Sequence, residues 1–101
     1  MFTGMFVTVA ATGKSQASGA TSAGGTIPLM LSGEIPRYVR VAATAAACIR
    51  LGKSAQTAVV TDMQVQPGDS VIMHVAEGWD NFAVIQVAAA GVVQISPLEN
   101  M

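Results

Sequence analysis

Charge is scarce in this chain. Five Lys or Arg and six Asp or Glu, eleven in all, leave a net charge of −1 over 101 residues. That is 11% charged, where a globular domain usually carries about 25%. No basic stripe exists to neutralise phosphates, so nucleic-acid binding is not expected. No Lys/Arg-rich amphipathic face points to a membrane surface. Cysteine is limited to Cys48, which excludes an intrachain disulfide and fits a small buried apolar residue. Aromatic residues are few: one Trp, one Tyr and three Phe. Long apolar runs are missing too. The stretch NFAVIQVAAAGVVQIS is interrupted by Gln86 and Gly91 and falls short of the roughly 20 residues a spanning helix needs. The opening MFTGMFVTVAATGKS lacks the positive region of a secretory signal. A soluble protein made in the cytoplasm is the expectation.

What is abundant is apolar side chains, at 51% of residues. A domain this small exposes a large share of its residues, and eleven charges dress little of it. Part of the surface is then Ser, Thr, Ala and Gln, and part is expected to be buried against copies of the chain, as a homo-oligomer.

The apolar residues alternate. In VRVAATAAACIRLG, residues 39–52, one side reads Val39, Val41, Ala43, Ala45, Ala47, Ile49, Leu51 and the other Arg40, Ala42, Thr44, Ala46, Cys48, Arg50. Period-2 spacing favours strand although alanine propensity opposes it. A helix would scatter the valines around its axis. The same form recurs in VTVAATG at 7–13 and IQVAAAG at 85–91, read as strand–turn–strand modules. Gly91 suits the left-handed last position of a three-residue hairpin loop. TIPLML at 26–31 reads as a short strand set at an edge by Pro28, and QTAVVT at 56–61 as another. GEIPR at 33–37, Pro67-Gly68-Asp69 and EGWDN at 77–81 are turns. Turn signals every 8 to 12 residues predict an all-β fold: a single domain over 1–101, a β-sandwich or jelly-roll-like arrangement of short antiparallel strands. Residues 13–25, GKSQASGATSAGG, lack the apolar side chains to offset ordering entropy and predict a flexible Gly/Ser/Ala loop or arm. A strand on such a tether could pair with a neighbouring subunit.

The chemistry-bearing residues do not assemble into a catalytic pattern. His74 has Asp69, Glu77 and Asp80 nearby, but a metal site needs three or four converging ligands, and these carboxylates sit in flanking turns. His74 is read as a surface or interface residue. Glu34, Asp62, Asp69, Glu77, Asp80 and Glu99 show no spacing that marks acid–base work. Gly13-Lys14-Ser15 resembles a piece of a phosphate-binding loop, but position 8 is Thr8 rather than the required glycine, so a polar loop is the reading. No enzyme activity, cofactor or metal is expected. Tyr38 and Arg40, on the polar face of their strand, and Trp79, in a turn, are the candidate interface contacts. For Trp79 the competing reading is a ring folded back over one end of the sandwich.

The stretch from Arg37 to Asn100 resembles small structural proteins of tailed bacteriophages. RYVRVAATAAACIRLG, TDMQVQPGDSVIMHV and NFAVIQVAAAGVVQISPLEN carry this resemblance through their texture and order. It implies a virion location, a symmetric and by preference trimeric assembly, a major capsid protein as partner, and a role in decorating or cementing the shell. A head–tail joining or tail component is the alternative of the same class. A small carbohydrate-binding β-module is the alternative of another class, and it would need exposed aromatics. An enzyme on a small barrel would need a paired base and nucleophile.

Overall fold

A computed structural model describes residues 8–9 and 13–99. Among them the chain forms nine strands and no helix, as the alternation predicts: β1 (Thr8–Val9), β2 (Lys14–Ser18), β3 (Ala23–Thr26), β4 (Tyr38–Ala43), β5 (Ala47–Gly52), β6 (Met63–Val65), β7 (Ser70–His74), β8 (Asn81–Gln86) and β9 (Gly91–Glu99). They make two antiparallel sheets. In the first, β1 and β2 lie end to end along one edge of β9, followed by β4 and β7. The second runs β3, β8, β5, β6. The fold is the small β-sandwich that the turn spacing predicts.

The two sheets share one strand order. β2 continues into β3, β4 into β5, β6 into β7 and β8 into β9, and each pair crosses from one sheet to the other. The sandwich is thus one four-ribbon antiparallel sheet folded over on itself. The fold line passes through residues 19–22, 44–46, 66–69 and 87–90. Neighbouring ribbons stay bonded along it: Thr44 N–H donates to Val92 O at 2.9 Å, Val92 N–H to Thr44 Oγ1 at 2.8 Å, and Gln86 N–H to Gly19 O at 2.9 Å.

The two alanine-rich segments at 39–52 and 85–91 are the places where adjacent ribbons bend together. Small side chains are needed there because the backbones close on each other. A Cβ on Gly91 would sit 2.8 Å from Ala45 Cβ and 2.8 Å from Thr44 Oγ1. Gly91 is therefore glycine for want of space. It does not occupy the left-handed region, and the chain turns there from sheet to sheet rather than through a three-residue hairpin. The left-handed glycines among the described residues are Gly33, Gly68 and Gly78, all in the expected turns, where glycine carries no Cβ penalty. The first copy, at 7–13, lies largely outside the described residues.

Inside the fold, Val39, Val41, Val93 and Ile95 of the first sheet meet Ile49, Leu51, Phe82 and Val84 of the second. Burying each such side chain fully contributes about 1.5–3 kcal/mol. The second sheet is also covered on its outer face. Residues 53–62 fold across it, burying Cys48, Ala58 and Ala83. The Cys48 thiol donates to Val60 O at 3.4 Å, and Ala58 N–H donates to Ser22 Oγ at 2.7 Å. β5 is thus covered on its outer side as well as its inner one, which accounts for the burial of Cys48 there.

Three local expectations are corrected. Residues 13–25 are not a loop but β2, a bend and β3. Strand ladders satisfy backbone groups without apolar side chains, and Gly24 lets β3 approach β8 so closely that a Cβ would run into the Phe82 carbonyl. QTAVVT at 56–61 is not a strand but part of the cover over the second sheet. In TIPLML only Thr26 belongs to a strand; beyond it Ile27 N–H donates to Asp80 O at 2.8 Å and the chain leaves the ladder.

Candidate functional site

The outer face of the first sheet is open, and alternation decides what it shows. With Val39 and Val41 in the core, β4 turns Tyr38, Arg40 and Ala42 outward. β7 contributes Ser70, Ile72 and His74 to the same face. Tyr38 and His74 are register partners, with ring centroids 5.3 Å apart and planes tilted by 57°, within the range aromatic pairs favour. Arg40 lies between Ser96 and Ile72. Among the described residues its guanidinium has no hydrogen-bond or ion-pair partner. Tyr38 and Arg40 therefore share a surface, as their spacing implies. Trp79 does not join them. It is half-buried and packs against the core cluster, the folded-back arrangement rather than an exposed anchor.

A half-open cleft of about 670 Å³ lies at the end of this face, where the segment before β4 meets the turn after β7. Ile35, Pro36, Arg37, Tyr38, His74 and Glu77 line it. The Val75 N–H donates to Arg37 O at 2.7 Å and joins the two walls. Arg37 and Glu77 bring opposite charges to a wet surface, where Coulomb attraction is weak. The arrangement offers hydrogen bonds and an aromatic edge to a partner. Among the described residues no group of three His, Cys, Asp or Glu could hold a metal ion.

The other ionisable group of note was not visible from spacing. Asp62 accepts from Arg50 Nη2 at 3.0 Å and Nε at 3.2 Å, and from the Val59 N–H at 2.9 Å. Burial pushes its carboxyl up. The bonds from Val59 and Arg50, with the Arg50 charge, outweigh that and hold it below the usual carboxylate range. Burial, and then the Asp62 charge, push the Cys48 thiol up. This disfavours the thiolate and any nucleophilic role. The one available signal was Arg50 on the outward side of an alternating strand, a charge in need of a partner.

No protein-family model, curated protein or solved structure matches the chain.

Proposed function

We propose that the chain is a structural component of a bacteriophage virion, binding the major capsid protein as a symmetric oligomer and stabilising the shell. The observation that carries this reading is apolar side chains exposed beside open strand edges. β6 and β7 form the terminal ribbon of both sheets. They present Met63, 46% exposed, and Ile72, 55% exposed, next to backbone groups that nothing among the described residues pairs. Leu31, Ile35 and Val60 add further exposed apolar area. Such an edge is a ready template for another chain, and association buries the apolar side chains beside it. The resemblance of residues 37–100 to small phage structural proteins supplies the shell as the partner. The carbohydrate-binding alternative loses support because Trp79, the largest flat ring, packs on the core.

The mechanism is binding itself: contact area bridging neighbouring shell subunits resists expansion. Shells of the phage encoding this chain, prepared without it, provide the test. Purified protein is expected to co-sediment with them, raise the temperature at which they release DNA, and add density at symmetry axes in cryo-electron microscopy. Density at a single vertex transfers the reading to head–tail joining. No co-sedimentation at saturating protein overturns it.

A further inference from the structure

We propose that β7 is a self-pairing edge: it bonds antiparallel to β7 of a second copy about a twofold axis at Ile72, joining the two first sheets into one. This rests on the reading of the chain as an assembly part and specifies one contact of that assembly.

The hydrogen-bond phase of the sheet shows which groups are available. Val75 N–H donates to Arg37 O, and the register pairs Val39 with Met73 and Val41 with Val71. Antiparallel pairs alternate between bonded and non-bonded, so residues 71, 73 and 75 turn their backbone groups toward β4. The other side of β4 agrees. Thr44 N–H donates to Val92 O, which phases Tyr38, Arg40 and Ala42 toward β9. Ser70, Ile72 and His74 therefore point their N–H and C=O groups at the open edge, and all three are exposed.

A strand is the chemistry that fits such an edge, and the residues select a copy of β7. Centring the axis on Ile72 sets Ile72 against itself and Ser70 against His74 of the second copy. Each of the three facing pairs is then of the bonded kind, and apolar meets apolar between two polar ends. No like charges face each other within the paired residues. β7 carries no Lys, Glu or Pro and no bulge, the usual devices that keep edges apart. Within β4 and β7 themselves the nearest like charges, the two Arg40 side chains, would stand three strand spacings or about 14 Å apart, beyond the roughly 8 Å screening length at physiological salt, while Asp69 and Glu77 lie in the turns outside the paired residues. The opposite edge is built differently. It carries Lys14, whose Nζ donates to Thr26 O at 2.9 Å and lies 5.9 Å from the Phe82 ring centroid.

Cysteine cross-linking of the full chain tests the register. Facing Cα atoms of a bonded pair lie about 5.5 Å apart, within disulfide reach. Under mild oxidation I72C is expected to run mostly as a disulfide dimer on a non-reducing gel. S70C alone and H74C alone stay monomeric, while a mixture of the two cross-links. The wild-type chain gives the baseline, because its Cys48 is buried. I72K, at an exposed position, is expected to abolish the dimer in sedimentation velocity while circular dichroism keeps the strand spectrum. Failure of I72C to cross-link above baseline, or equally ready cross-linking by S70C alone, overturns the pairing. If the wild-type chain then sediments as a trimer or binds shells, only the β7 contact has failed. If it sediments as a monomer and leaves shells unbound, the assembly reading has failed with it.

Discussion

Arg50 and Asp62 meet at 3.0 Å across the outer face of the second sheet, with Arg50 on β5 and Asp62 at the end of the segment that covers it. The second carboxylate oxygen takes the Val59 N–H. Both oxygens are therefore used to clasp residues 53–62 onto a strand that would otherwise face water.

The clasp is sensitive to acid. Asp62 titrates below its unfolded value, which for Asp is about 3.9. Its contribution is therefore complete above that value and is lost as pH falls through the folded one. Asp62→Asn is expected to lower stability by about 1 kcal/mol at neutral pH, since Arg50 is 40% exposed and solvent screens the pair. Urea midpoints for the two proteins should converge as pH falls below the ordinary carboxylate range. A gap that stays constant across the titration refutes the clasp.

Cys48 reports on the same cover. It is buried, and its thiol is shifted away from the reactive thiolate. Alkylation by iodoacetamide at pH 8 is expected to be at least tenfold slower in the folded protein than in urea. Asp62→Ala, which releases the clasp, should speed it. Equal rates in folded and unfolded protein would mean that residues 53–62 do not shield the strand.

Gly91 and Gly19 make a matched pair. A Cβ at position 91 meets Ala45 and Thr44, whereas one at position 19 meets nothing within 4 Å. Gly91→Ala is expected to cost about 1–3 kcal/mol, as overpacking does. Gly19→Ala should change stability by less than about 0.5 kcal/mol. Adding Ala45→Gly to Gly91→Ala should recover part of the loss, a coupling that a double-mutant cycle measures. Equal effects at 91 and 19 would contradict the close approach at the fold line.

Phe82 is the largest fully buried side chain among the described residues, 1% exposed between the sheets. Phe82→Ala is expected to cost about 3–5 kcal/mol, a large share of the 5–15 kcal/mol typical of a domain. Thermal unfolding followed by circular dichroism checks this. A loss below about 1 kcal/mol would place Phe82 outside the core.

The alternation of Val39, Val41, Ile49 and Leu51 was legible because period 2 is a property of the strand itself. The turns at Gly33, Gly68 and Gly78 were legible because a left-handed residue is a local requirement. The strands β2 and β3 were not. Their Gly, Ser and Ala side chains carry little signal, and their stability comes from ladders with β9 and β8, strands more than fifty residues away in sequence. The shared surface of Tyr38 and Arg40 followed from spacing alone. The placement of His74 against Tyr38, and of Trp79 against the core, needed the pairing of distant segments.

Residue by residue, the chain determined that it would be extended, which faces would be apolar, and where it would turn. Tertiary structure decided which sheet each half-ribbon joins, why position 91 has no room for a side chain, and which side of β7 is left unpaired among the described residues. The physical reason is one of range. Side-chain direction and turn geometry are set within a few bonds. Sheet membership and ladder phase are set by hydrogen bonds such as that between Thr44 and Val92, forty-eight residues apart, which form only when the whole sheet folds over.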